Sequence, residues 1–393
     1  MTSHIMPTYG RLPVTFARGE GAWLWDENNN RYLDALSGIA VCNLGHAHPA
    51  VHKAICEQSG KLLHTSNLYG IAVQERLADK LTEKSGMDNV FFCNSGAEAN
   101  EASIKLARKY GHELGIDKPA IIVMEKSFHG RTLATLSATG NAKVQQGFAP
   151  LLEGFVRVLY NDVDAVQQAI EQDKNIVAVL VEPIQGEGGV NIPAPDYLNR
   201  IRALCDQHKL LMMLDEIQTG IGRTGKFLCF QHNNILPDVC SLAKALGNGV
   251  PIGACLARGK AAEILTAGSH GSTFGGNPLA CSAALATLEA LDQENLIELA
   301  EQKGNAICKG FTAHLQDNKH VVDIRHKGMM IGIELDYPCA DLVKSALERH
   351  LLINVTNEKT IRLLPPLIMD EQQINQLVES LSTLIEEYTG QLP

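Results

Sequence analysis

Two apolar runs in this 393-residue chain stop abruptly next to a charged side chain, and this pattern constrains the fold more than any other feature. In LLMMLDEIQTG, residues 210–220, five apolar residues run into Asp215; further along, in SLAKALGNGVPIG, Lys244 follows Leu242 and Ala243. An apolar run halted by a charge at the start of a loop reads as a buried parallel strand that delivers one side chain to the carboxyl edge of its sheet. Open α/β sheets bind their ligands at that edge. A buried carboxylate and a buried amine are each costly alone, so the two together imply a ligand that takes both charges. A group with a basic ring nitrogen and an aldehyde would do so.

The surrounding pattern supports such a sheet. From about residue 70, helix and strand alternate: AVQERLADKLTEKSG reads as helix, VFFCNSG as strand, AEANEASIKLARKYG as helix and AIIVM as strand. FVRVLY, the helix DAVQQAIEQ, the strand IVAVLVEPI, a helix over 198–208 and LLMMLD continue the series, the signature of a mostly parallel α/β sheet flanked by helices. Before it, GAWLWDENNNRYLDAL predicts a hairpin turning at Asn28, Asn29 and Asn30. After it, CSAALATLEALDQENLIELAEQKGNAICKGF predicts one long helical stretch, followed by strands near DIRHKGMMIGIEL and TIRLLPP. The expected division is an N-terminal part of a small domain at 1–60, a large ligand-binding domain at 61–280, and a linking helix with the rest of the small α+β domain at 281–393.

Composition narrows the function classes. A formal charge of -10 argues against a binder of nucleic-acid backbones, which needs clustered lysine and arginine, so any anionic substrate must meet local arginines. The ten cysteines are scattered through apolar segments without a C-x-x-C pair, as expected of reduced core thiols in a cytoplasmic protein. No apolar run approaches the roughly 18 residues of a membrane span, and the N-terminus lacks the basic and apolar regions of a signal peptide.

Two motifs mislead. Residues 220–225 spell G-x-G-x-x-G, but the glycines do not follow a strand directly and no helix is evident in KFLCFQHNNILP, so the context that aims N–H groups at a pyrophosphate is missing. Read as a P-loop, the same stretch has Phe227 where a hydroxyl should bind magnesium. A mobile glycine-rich loop over the sheet edge is the expectation. His46 and His48 in LGHAHP have no second ligand cluster and read as turn residues, with no metal implied.

Two further loops could carry chemistry. In NSGAEANEA, Ser95, Gly96 and Ala97 lie at a strand-to-helix junction where backbone N–H groups can approach a phosphate, or where they simply cap a helix. In SFHGRT, Phe128 and His129 follow a strand on a glycine-containing loop; Phe128 either stacks on a planar ring or belongs to the core.

Taken with NLGHAHP, VEPIQGEGGV, LDEIQTGIGRTGKF, LAKALGNGVPIGA and GSTFGGNPLA, these segments give the chain a resemblance, over nearly its whole length, to the class III, fold-type I aminotransferases that use pyridoxal 5'-phosphate. The resemblance implies that Lys244 forms a Schiff base with the cofactor aldehyde and that Asp215 faces the pyridine nitrogen. It implies that Ser95, Gly96 and Ala97 hold the phosphate, joined by Thr273 from the other subunit of a homodimer with shared sites. Phe128 would stack on the ring and Gln218 would bond the ring hydroxyl. Lys244, once displaced by a substrate amine, would also move a proton between the substrate carbon and the cofactor.

An amino acid and an oxo acid must use such a site in turn, which calls for arginine forks. The resemblance gives Arg131 the α-carboxylate of an acylated ornithine and Arg362 the second carboxylate of 2-oxoglutarate, with Glu187 masking Arg362 when an ω-amino donor binds. Without the resemblance, Arg131 reads as a turn cap and Arg362 as a strand-end surface charge. Ser272 is an expected contact from the partner subunit to the acyl end. Ile39 stands where relatives acting on free ornithine carry a tyrosine, which favours an N-acylated donor. The resemblance implies transfer of the δ-amino group of N2-acetylornithine to 2-oxoglutarate, a step of arginine biosynthesis, with N2-succinylornithine or free ornithine as the alternative donor, since the residues do not separate acetyl from succinyl.

Overall fold

The computed structural model describes residues 4–392. Strands β1 (Phe16–Glu20), β2 (Trp23–Asp26) and β3 (Arg31–Asp34) form an antiparallel meander. The β2–β3 turn falls at the asparagines because the Asp26 carboxylate accepts the N–H groups of Asn28 and Asn30, at 2.9 and 2.8 Å.

The central sheet comprises β4 (Asn89–Cys93), β5 (Ala120–Met124), β6 (Phe155–Val158), β7 (Ile176–Val181), β8 (Leu211–Asp215), β9 (Val239–Leu242) and β10 (Gly253–Ala257). Their order is β4-β10-β9-β8-β7-β5-β6. Every residue of β5, β7, β8, β9 and β10 is buried, which is why these strands read as unbroken apolar runs with no alternation. All strands run parallel except β10, which is antiparallel to both neighbours. The sequence pattern missed β10 because it follows β9 through a tight return, without the helical crossover that a parallel partner needs. Helix Gly96–Glu113 packs on this sheet through Ala99, Ala102, Leu106 and Tyr110, and Ser95 caps it by accepting the Glu98 N–H at 3.2 Å.

The expected long helix is two, Pro278–Gln293 and Leu296–Leu315, separated at Asn295, whose φ of 52° is left-handed and cannot continue a helix. Strands β11 (Val321–Lys327), β12 (Met330–Leu335), β13 (Leu351–Leu352), β14 (Asn354–Thr356) and β15 (Thr360–Leu363) follow; helix Leu296–Leu315 packs on β11 and β12, and helix Glu371–Thr389 packs in turn on that helix. The C-terminal sheet has the order β11-β12-β15-β14, while β13 leaves it to pair in parallel with β3. Strands from both ends of the chain thus share one sheet, β1-β2-β3-β13. Eight of the ten cysteines are buried; Cys56 is exposed and Cys42 half-buried.

Two segments depart from the sequence reading. The 220–225 loop is not a mobile cover: residues 220–224 are buried, because Arg223 is planted in the junction between the large sheet and both chain ends. Ser37–Ala40 forms a left-handed turn, with φ of 46, 64, 68 and 59° in succession. Such a conformation costs roughly 1–2 kcal/mol per non-glycine residue and must be held from outside. Asp34 Oδ1 accepts the N–H groups of Leu36 and Ser37, and Ser37 Oγ donates to the Leu364 carbonyl at 2.6 Å.

Candidate active site

Five parallel strands end at one cavity of about 380 Å³. The loop after β4 supplies 94–97, the loop after β5 supplies 128–131, and β7 is followed at once by Glu182. β8 supplies Asp215, with Gln218 beyond it, and β9 leads to Lys244. This convergence is what carboxyl-edge binding in an α/β sheet requires.

Asp215 is buried and fully engaged. Its Oδ2 accepts Asn100 Nδ2 at 2.7 Å and His129 Nδ1 at 2.8 Å, and its Oδ1 accepts the Ile217 N–H at 3.1 Å. The far ring nitrogen of His129, Nε2, is buried with no partner among the described residues. Lys244 begins a short 3₁₀ turn with φ of 49°, and among the described residues its ammonium meets no hydrogen-bond or ion-pair partner. Burial, reinforced by Arg362, pushes its pKa down to about 8. Glu182, receiving N–H bonds from Phe128 at 2.9 Å and Gly186 at 3.2 Å, is pushed upward by its burial.

At the side of Gln218, Arg362 is completely buried on β15. Its Nη1 donates to Glu187 Oε1 at 2.6 Å and to Gln218 Oε1 at 3.2 Å, while Nε and Nη2 both donate to Asn354 Oδ1, at 3.1 and 2.8 Å. Burial works to raise the Glu187 carboxyl, but Arg362 beside it prevails and holds it below its ordinary range. Arg131 is exposed, with its guanidinium carbon 5.7 Å from the Phe128 ring centre.

The residues present fit a planar phosphorylated aldehyde. Lys244 is an unpaired amine, Asp215 an anion fixed at the base of the cavity, and Phe128 an aromatic wall. Gly96 and Ala97 contribute the first N–H groups of an 18-residue helix, which have no intrahelical acceptor. A Cβ on Gly96 would stand 2.7 Å from the Ile217 side chain, so a larger residue at the helix start would displace a side chain of the cavity wall.

The structure brings Ser95, Gly96, Ala97, Phe128, Arg131, Asp215, Gln218 and Lys244 to one cavity, and joins Glu187 and Arg362 to it through Gln218. Ser272 and Thr273 do not line it within the chain: Ser272 Oγ accepts from Asn94 Nδ2 at 3.2 Å, and Thr273 is exposed. Ile39 does not line it either. The left-handed turn directs Ile39 into an apolar cluster with Ile184, Val190 and Leu364, and Val41 is the residue of that segment at the cavity wall. Sequence reading gave no role to Asn100, His129, Glu182 or Asn354. Glu182 was detectable, since IVAVLVE ends on a charge just as LLMMLD does.

The aminotransferase class-III profile matches residues 5–385. The chain is 60% identical to the acetylornithine aminotransferase of Nitrosomonas europaea over 98% of both chains, and 46% identical to that of Methanocaldococcus jannaschii over 96% of this chain and 95% of the other. Among solved structures, the ornithine aminotransferase of Toxoplasma gondii superposes with a TM-score of 0.94 at 35% identity, covering 98% of this chain and 94% of that one. The acetylornithine aminotransferase of Elizabethkingia anophelis gives 0.87 at 36%, covering 98% and 96%. The chain belongs to the class III aminotransferases, enzymes that depend on pyridoxal 5'-phosphate.

Proposed function

We infer that the chain is an acetylornithine aminotransferase, moving the δ-amino group of N2-acetylornithine to 2-oxoglutarate in two half-reactions on one site. The observation that carries this is the ion pair of Arg362 with Glu187 beside Gln218. A dicarboxylate acceptor needs a free guanidinium there, whereas an ω-amine arrives as a cation and needs that charge masked. A pair with one member fully buried and the other one-third exposed at its side chain can serve both: Glu187 stays for the amine and swings away for the acid.

Bound in this cavity, pyridoxal 5'-phosphate supplies an aldehyde that exchanges amines and a ring that accepts electrons from the substrate carbon. Asp215 holds the ring-nitrogen proton, and His129 and Asn100 fix the carboxylate for that task. Gly96 and Ala97, with Ser95 as the cap, receive the phosphate. Phe128 would cover the ring face and Gln218, which lines the cavity beside it, would bond the ring hydroxyl. Lys244 would hold the aldehyde as a Schiff base and, as the displaced amine, would move the proton at the substrate carbon; burial and Arg362 lower the pKa of its free ammonium to about 8, towards the range of a useful base. Arg131 takes the α-carboxylate of the donor.

The working unit is a homodimer in which Ser272 and Thr273 complete the neighbour's site. Thr273 is exposed, and Phe274, Leu68 and Tyr69 form an apolar surface nearby, with Asn67 tied to the carbonyls of Ser272 and Gly275. No described helix is long and apolar enough to cross a membrane, in keeping with an enzyme of the cytoplasm. The test is a set of specificity constants for N2-acetylornithine, N2-succinylornithine, ornithine and γ-aminobutyrate with 2-oxoglutarate. N2-acetylornithine should be the best donor; a preference for any of the other three overturns the reading.

A further inference from the structure

The G-x-G-x-x-G stretch contains Arg223, one of the two largest wholly buried side chains among the described residues. Arg223 makes no ion pair among the described residues. Its Nη1 donates to the carbonyls of Met329, at 3.0 Å, and Pro365, at 2.5 Å. Its Nη2 donates to Asn43 Oδ1 and, at 3.4 Å, to Ser37 Oγ. Its Nε–H has no acceptor, and burial pulls its pKa down to about 9. A buried cation whose hydrogen bonds all go to neutral groups, its charge offset only by the field of the Asp34 carboxylate, is an expensive way to join elements, and an apolar side chain often packs in such a place at less cost.

What it joins explains the expense. Met329 directly precedes β12 and Pro365 closely follows β15, and these two strands pair with Gly332 opposite Arg362. Arg223 therefore grips both strands at the ends beside Arg362. On its own chain it lies shortly after Gln218, the residue that touches both Arg362 and Glu187. The approach is tight on the backbone side too. The Met329 N–H donates to the Arg223 carbonyl at 2.9 Å, and a Cβ on Gly328, whose φ is 53°, would lie 2.5 Å from the Thr224 backbone. Two rigid connections thus run from the 215–225 loop to β15, one through Gln218 at the cavity and one through Arg223 behind it.

We propose that Arg223 is a positioning residue for dicarboxylate recognition, holding β15 at the distance from Gln218 at which Arg362 stays in reach of a substrate when Glu187 leaves it. The proposal rests on the functional reading above. A monocarboxylate bound at Arg131 does not use Arg362, so loss of Arg223 acts on the second carboxylate alone.

The experiment uses holoenzyme and two unreactive ligands, glutarate and pentanoate, with dissociation constants from calorimetry for the wild type, Arg223→Met and Arg223→Lys. Arg223→Lys retains the charge but cannot span both strand ends and Asn43, and it serves if the methionine variant does not fold. The expected result for a folded variant is glutarate weakened by about tenfold or more, the loss typical of a misaligned hydrogen bond to a charged group, with pentanoate changed by less than about twofold. Equal weakening of both ligands, weakening of pentanoate alone, or no change overturns the proposal. Wild-type transamination of N2-acetylornithine is measured alongside. If it is absent, the functional reading falls and takes the proposal with it; if it is present and the two ligands shift alike, only the role of Arg223 falls.

Discussion

The cavity has two charged regions built on opposite plans. Around Asp215, one carboxylate is buried and held by three donors from Asn100, His129 and Ile217, none of them on a flexible stem. Around Arg362, a guanidinium pinned by Asn354 meets Glu187, whose side chain is one-third exposed. A charge that serves every turnover in the same way benefits from preorganisation, which removes reorganisation from the reaction itself. A charge that must be presented to one substrate and hidden from the next needs a partner able to move. On the proposed function, the contrast teaches that rigidity and mobility are distributed by task within a single cavity.

The sharpest way to break this comparison is to remove the group that works between the two regions. Lys244→Ala is expected to lower kcat by at least about 10⁴-fold, the upper range for a positioned proton-transfer group, read by steady-state rates with either substrate pair. Ordinary turnover in that variant ends the assignment. Asp215→Asn comes next. Removing a charge from a buried, bonded partnership costs roughly 3–5 kcal/mol, and if that cost falls on the transition state turnover should drop by about 10²–10⁴-fold for donor and acceptor half-reactions alike in rapid-mixing absorbance. A loss confined to one half-reaction would contradict its fixed role.

Glu187→Gln should split the halves. Unmasking Arg362 is expected to raise KM for N2-acetylornithine by about tenfold while leaving 2-oxoglutarate at or below its wild-type KM, as follows for loss of one charge-assisted partner. Equal changes in both would show that the pair is structural. The smallest effect is on stability. In cofactor-free protein, Lys244 has a pKa of about 8 against 10.5 for the unperturbed amine. Between these values the unfolded chain binds more protons, so stability rises with pH through the window and is lowest below it. Urea unfolding of cofactor-free Lys244→Met should lack that rise; an unchanged slope would place its origin elsewhere.

Legibility in the sequence followed burial. Asp215, Lys244 and the strands beneath them were readable because a continuous apolar run can end on a charge for few reasons, and Glu182 carries the same mark. Arg362 and Glu187 lie far apart in sequence, and only the family resemblance joined them before the fold did. Ile39 was named by resemblance alone; that it packs beside Ile184, Val190 and Leu364 depends on a left-handed turn held by Asp34 and Leu364, which no local pattern links to it. The 220–225 loop looked mobile because glycines signal freedom locally, while Arg223 receives its acceptors from Asn43, Met329 and Pro365, which no local pattern links to it. Strand β10 was hidden by its direction, which breaks the alternation on which the parallel strands were recognised.

The pairing of β3 with β13 bears on how this chain is made. The N-terminal meander is synthesised first, yet its last open edge is filled only by Leu351–Leu352, near the other end of the chain. On the ribosome, that edge stays unpaired while the whole large domain emerges and folds, and the loop closure it awaits is among the longest the chain offers. That sheet can therefore be completed only after β13 has been made, and a chain ending before β13 would leave the β3 edge of the meander unpaired.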